Sequence, residues 1–369
     1  MMASATELMG AGATLEGKYQ IVKPLGEGAM GSVFLARDLT LERLVAIKVL
    51  KGEVAGRIEE DARFRQEARV LSRLSHPNIV TVYAYGAVPG GAKYIAMEYV
   101  EGQTLAEMIA SGARLPTEVI CHVVTQVGRA LSAAHERGMV HRDVKPGNVL
   151  LTSVAGDDHF VKVVDFGLAK ILVDGQEEGM GDLALKTAEG MAMGTPAYLS
   201  PEQARGDGKI DERSDVYAFG VLACQLLTGA LPFESANAQQ FLLAHVAHDP
   251  RLPSALMAEV EVPEDGLVDQ VIARALAKDP EERYQDVLVF AEEFVSAVKA
   301  EVMFPQAVNV LSSRDTIDWG NDHDSMPLAT SRVAAHSEIR AAVLCVEIDR
   351  LMDPEVTIPL QDRMEVLAI

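Results

Sequence analysis

The chain has 369 residues, 49% of them apolar and 24% charged, with 33 basic against 54 acidic side chains and a net charge of −21. A length of this order suggests two or three compact units, and the composition excludes a mainly disordered or collagen-like chain. A field of that sign repels nucleic acid and anionic lipid, which argues against a DNA-binding protein or a polybasic membrane anchor.

Residues 1–18 are small and polar and read as a flexible leader. From Tyr19 to Val49 apolar residues alternate in the manner of strands: Tyr19 and Ile21, then Val33 and Leu35, then Val45, Ile47 and Val49. Residues 57–75 switch to helical spacing, with Phe64, Leu71 and Leu74 on one face. Strand patterns return at Ile79–Tyr85 and Tyr94–Val100. Beyond residue 103 helical patterns dominate, at Thr117–Arg137, Asp215–Leu227, Leu267–Leu276 and Asp286–Lys299. A strand-rich part followed by a helix-rich part predicts an α+β protein in two lobes, 19–101 and 102–300, joined near Gly102 and Gln103. Residues 301–369 form an acidic linker and a short appendage, with 12 acidic and 5 basic residues and a strand-like Ala342–Ile348. Such a tail is a remnant, a truncated second domain, or a strand that docks on the rest.

Cys121, Cys224 and Cys345 lie far apart, so neither a disulfide framework nor a zinc site is expected and a reducing compartment fits. The N-terminus has no signal-peptide pattern. The stretch Val216–Leu231 is shorter than the roughly 18 residues of a membrane span and reads as a buried helix. A cytoplasmic protein with no membrane span is expected.

Five motifs carry chemistry. Gly26-Glu27-Gly28-Ala29-Met30-Gly31-Ser32-Val33 is G-x-G-x-x-G, a weak signal alone. A dinucleotide turn would open a helix, but here strand patterns flank it on both sides, so the glycines sit in a hairpin. That hairpin either covers phosphates with its backbone N–H groups or is a plain turn. In Val45-Ala46-Ile47-Lys48 a lysine ends a strand pattern; it is either solvent-facing on an edge or reaches phosphates, held by a carboxylate from the following helix. Glu67 is the candidate for that carboxylate, since Glu59, Glu60 and Asp61 read as first-turn charges.

The strongest motif is His141-Arg142-Asp143-Val144-Lys145-Pro146-Gly147-Asn148, followed by the apolar Val149–Leu151. Asp143 can accept a proton from an attacking hydroxyl, Lys145 can neutralise a phosphoryl group, and Asn148 offers an amide oxygen to Mg²⁺. Asp165-Phe166-Gly167 follows a strand pattern and supplies a second hard ligand. Gly194-Thr195-Pro196 leads to Ser200-Pro201-Glu202, and Asp215 opens an apolar helix.

In this order the motifs resemble those of eukaryotic-type protein kinases, in particular the bacterial (Hanks-type) serine/threonine kinases, over residues 19–299. The resemblance implies a bilobal kinase fold and transfer of the ATP γ-phosphoryl group to serine or threonine hydroxyls, with Mg²⁺ or Mn²⁺. It implies an ion pair between Lys48 and Glu67, a substrate-orienting Asp143 assisted by Lys145, and metal ligation by Asn148 and Asp165. It implies a nucleotide site of Gly26, Glu27, Gly28, Ala29, Met30, Gly31, Ser32, Val33, Ala46, Lys48, Met97, Glu98 and Val100, with Met97 before the hinge Glu98-Tyr99-Val100. Glu202 and Arg283 resemble the buried pair of the large lobe, and Asp215 the aspartate that braces H-R-D. Lys145 and Thr195 match the serine/threonine pattern. Arg142 resembles the arginine that meets an activation-loop phosphate, and Thr187 is the candidate phosphosite. Glu189 is either a partial mimic of a second phosphate or another solvated acid. The implied partners are protein substrates, basic ones by charge, and the kinase itself through autophosphorylation. A nucleotide-binding scaffold is the alternative class.

Overall fold

A computed structural model describes residues 10–28, 31–50, 74–88, 92–166, 196–206, 210–235, 237–257 and 266–303. Residues 57–73 of the expected helix, Glu67 among them, lie outside these residues, as do Ala29, Met30, Gly167, Thr187, Glu189, Thr195 and the tail strand; the last two, Leu74 and Ser75, are described and are not helical, and Leu74 is buried.

The first part is an antiparallel sheet. Its strands are β1 (Thr14–Leu15), β2 (Tyr19–Gly28), β3 (Gly31–Asp38), β4 (Arg43–Leu50), β5 (Val82–Ala87) and β6 (Lys93–Glu98), in the order β1-β2-β3-β4-β6-β5. The two-residue period of β4 separates its faces. Val45, Ile47 and Val49 join Tyr19, Phe34 and Tyr94 in a core of their own. Ala46 and Leu50 join Ile95 and Met97 in the large core that continues through the helices. Lys48 shares the face of Ala46 and Leu50 and is therefore carried toward the second part of the molecule. The expected strand at 79–85 starts later, at Val82, because Ile79 instead forms a parallel bridge with Val163.

The second part opens with β7 (Gln103–Thr104), which pairs with the hairpin of β8 (Val149–Val154) and β9 (Asp157–Val163). Around it lie α1 (Leu105–Ala110), α2 (Thr117–His135), α3 (Pro201–Arg205), α4 (Glu212–Thr228), α5 (Ala238–Ala247), α6 (Pro253–Leu256), α7 (Leu267–Ala275) and α8 (Val287–Val298). The apolar stretch that begins at Val216 lies in α4, a core helix buried along most of its length. Asp211 caps it by accepting from Arg213 N, and Gly229 ends it in the left-handed region at φ 76°. Helices α2 and α8 touch closely at Gly128, where a Cβ would come 2.6 Å from Ala291 Cβ. No helix among the described residues is long and apolar enough to cross a membrane.

Glu301 lies beyond α8 yet is buried, and it accepts from Leu267 N at 2.5 Å and Val268 N at 3.0 Å. It thereby caps α7, whose N-cap Gly266 brings no side chain.

Candidate active site

The strand-to-strand register builds the cleft. Gly26, Glu27 and Gly28 on β2 face Val33, Ser32 and Gly31 on β3. Gly31 approaches the next strand so closely that a Cβ would sit 2.1 Å from Val49 O. Ala46 pairs with Met97, and Lys48 with Ile95. Glu98 ends β6; its carboxylate accepts from Thr81 N at 3.1 Å and pairs with Lys162 of β9 at 2.9 Å. Glu98 thus ties the two sheets together at the joint. Val100 packs on the large core.

The β8–β9 hairpin sets two further groups side by side. Val149 pairs with Val163, and Val164 N donates to Asn148 O at 3.0 Å. Asn148 just before β8 and Asp165 just after β9 therefore stand at the same open end of the hairpin. Asp165 has φ 64°, an uncommon conformation for a residue with a Cβ. Its carboxylate meets Lys48 Nζ at 2.6 Å, with the lysine side chain 7% exposed. Lys48 is thus a buried, paired cation.

Asp143 is held from several directions. Lys145 Nζ donates to its two carboxylate oxygens at 2.9 and 2.7 Å. Asn148 Nδ2 donates to Asp143 O at 2.7 Å and to Oδ2 at 3.0 Å. With its nitrogen so used, the amide oxygen of Asn148 is the atom that could ligate a cation. Asp165 and Asn148 offer hard oxygen donors, a set that suits Mg²⁺ when water and phosphate complete its shell.

His141 links the two motifs. It is fully buried, donates from Nε2 to Val164 O at 2.9 Å, and packs on Phe166 with ring centres 4.5 Å apart. Asp215 braces the same loop, accepting from His141 N at 2.7 Å and Arg142 N at 2.8 Å. His135 Nε2 also donates to it at 2.7 Å, a contact that the sequence reading did not foresee. The only hint was a histidine in the last turn of a helix ahead of H-R-D. Arg142 has φ 67°, and its Nε is buried without a hydrogen-bond partner among the described residues.

Behind the site, Arg283 is fully buried and makes a two-pronged pair with Glu202 at 2.9 Å on each side. Burial pushes the Glu202 carboxyl up, but the Arg283 guanidinium and Ser214 more than offset this and hold it below its ordinary value.

A six-stranded antiparallel sheet followed by a helical part, with Lys48 paired to Asp165 and Asp143 held by Lys145 and Asn148, makes a two-lobed kinase fold. A family model described as protein kinase domain matches residues 19–295. The chain is 40% identical over 288 residues to the serine/threonine-protein kinase pkn3 of Myxococcus xanthus, covering 78% of this chain and 51% of that protein. It is 38% identical over 304 residues to the serine/threonine-protein kinase PknB of Mycobacterium tuberculosis, covering 82% of this chain and 46% of that protein. The crystal structure of the PknI kinase domain from M. tuberculosis superposes with a TM-score of 0.60 at 31% identity, covering 79% of this chain and 99% of that one. The chain belongs to the protein kinase family, in its bacterial Hanks-type serine/threonine branch. It spans about half the length of pkn3 and PknB.

Proposed function

We propose that the chain transfers the γ-phosphoryl group of ATP to serine and threonine hydroxyls of proteins. The observation that carries this reading is the Asp143 carboxylate, held by Lys145 and Asn148 beside the hairpin that presents Asp165 to Lys48. In the step, the bond from the γ-phosphorus to the β,γ-bridging oxygen breaks and a bond to the acceptor oxygen forms. The hydroxyl proton passes to Asp143, and ADP leaves. Lys48 binds the α/β-phosphates, and Lys145 offsets charge on the moving group. Asn148 and Asp165 would hold Mg²⁺, or Mn²⁺ in its place. The metal supplies charge neutralisation on the phosphates when bound.

The nucleotide would lie under Gly26–Val33, with Ala46 and Met97 around the base and the backbone of Glu98 and Val100 along its edge. Glu67 is the proposed partner of Lys48 in the active state. Residues 19–101 and 102–300 are the proposed lobes. Autophosphorylation at Thr187 would place a phosphate opposite Arg142, whose buried Nε has no partner among the described residues. Thr195 would contact Asp143 and Lys145. Basic protein substrates suit the net charge of −21, and a cytoplasmic setting suits the free buried thiols of Cys121 and Cys224. Phosphoamino-acid analysis after incubation with labelled ATP tests the acceptor class. Phosphoserine and phosphothreonine are expected, and phosphotyrosine alone would overturn the reading.

A further inference from the structure

Arg142 is held on both sides, by the N–H of its peptide with His141 and by the carbonyl of its peptide with Asp143. Arg142 sits at φ 67°, unfavourable for a residue with a Cβ, so its surroundings must keep it there. Asp215 accepts from its N–H at 2.8 Å. On the other side Gln203 Nε2 donates to Arg142 O at 2.7 Å. That oxygen belongs to the same planar unit as Asp143 N, which approaches His141 Nδ1 at 3.3 Å. A restraint on the Arg142 carbonyl therefore restrains where Asp143 starts from.

Gln203 stands on α3, just after the turn Pro196–Tyr198. The other end of its amide is also engaged. Its Oε1 accepts from Ser200 N at 3.0 Å, and the buried Ser200 Oγ accepts from Gln203 N at 3.4 Å. One side chain thus closes the N-terminus of α3 with its oxygen and holds the H-R-D loop with its nitrogen. The capping function needs only an acceptor, which glutamate also provides. The contact to Arg142 O needs a donor, which glutamate lacks.

We propose that Gln203 is a positioning residue for phosphoryl transfer: its amide fixes the Arg142–Asp143 peptide, so the aim of Asp143 depends on the order of the 196–205 segment. This rests on Asp143 being the group that receives the hydroxyl proton.

The test compares the 369-residue wild type, Gln203→Glu, Gln203→Met and Asp143→Asn with Mg-ATP and a lysine- and arginine-rich serine peptide, reading kcat, both KM values and Tm. Gln203→Glu keeps the cap, so its Tm is expected within about 2 °C of wild type. Its kcat is expected to fall roughly tenfold or more, with KM for ATP within about twofold. Gln203→Met is expected to lose kcat similarly and to lose Tm as well. A wild-type kcat in Gln203→Glu overturns the proposal. So does a fall confined to Gln203→Glu with a wild-type kcat in Gln203→Met, which would be an effect of charge. A Tm loss in Gln203→Glu as large as in Gln203→Met also overturns it, since the cap would then be the role. Inactive Asp143→Asn beside unaffected Gln203 variants sinks only this inference, whereas active Asp143→Asn sinks the reading of Asp143.

Discussion

Lys48 Nζ and Asp165 Oδ2 meet at 2.6 Å although 117 residues separate them in the chain. The contact joins the first sheet to the end of the β8–β9 hairpin. It puts a cation beside a carboxylate, the pair that the proposed site would turn to the α/β-phosphates and the metal of ATP. It also satisfies a lysine whose side chain is only 7% exposed.

Lys48→Met should therefore act mainly on chemistry. Phosphate transfer to a peptide is expected to fall by at least about 100-fold, the scale of losing one preorganised donor to developing charge. Asp165 is 20% exposed and can recover water, so a cooperative melt only a few degrees lower is expected. Near-normal transfer rates would remove Lys48 from the site.

Glu202 and Arg283 should set the acid limit of the large lobe. The folded carboxyl lies below its ordinary value of 4.5, so the pair contributes fully above about pH 4.5. That contribution is lost as pH falls through the lowered value. Glu202→Gln leaves the buried Arg283 without its counter-charge and is expected to lose about 3 kcal/mol at pH 7. Denaturant melts from pH 7 to pH 3 should show the difference from wild type shrinking only below pH 4.5. A constant difference across that range would contradict the pairing.

His245 should act in a different window. It is fully buried on α5, with Tyr217 OH 2.9 Å from Nδ1, Phe233 and Phe241 against its ring, and the Pro196 and Ala197 carbonyls near the imidazole. Burial pushes its value down from 6.5 to about 4, and the nearby Lys278 adds to the shift. The fold therefore holds the neutral ring. Stability is expected to be full above pH 6.5 and to fall toward pH 4 by about 3 kcal/mol, the equivalent of that shift. His245→Gln should remove this slope, so its stability relative to wild type should improve as pH falls between those limits. Parallel curves would mean that the ring does not titrate there.

The sequence patterns located most of these parts. The alternation Val45, Ile47, Val49 marked β4 and so the face of Lys48. The spacing from His141 to Asn148 marks Asp143, Lys145 and Asn148, which the fold brings into contact. The helices at 117–135 and 212–228 fall where periodicity put them, within a few residues at their ends. Pairings between distant elements were another matter. Nothing local to Gln203 signals that its nitrogen reaches Arg142 O, because its sequence context already satisfies it as a capping residue. The same holds for Lys162 on Glu98 and for His135 on Asp215. Each contact depends on tertiary placement of an ordinary polar residue, which carries no periodicity. Glu301 looked like one more acid of a charged tail, and only the uncapped start of α7 gives it a role.

The most direct test of the central claim is transfer of labelled phosphate from ATP to a serine peptide by wild type and Asp143→Asn, measured alongside ATP binding. The substitution keeps the size of the side chain but leaves an amide that could not take the hydroxyl proton. A fall in kcat of at least about 100-fold with ATP affinity retained is expected. Equal rates for the two proteins would contradict the assignment of Asp143 as the group that receives the proton.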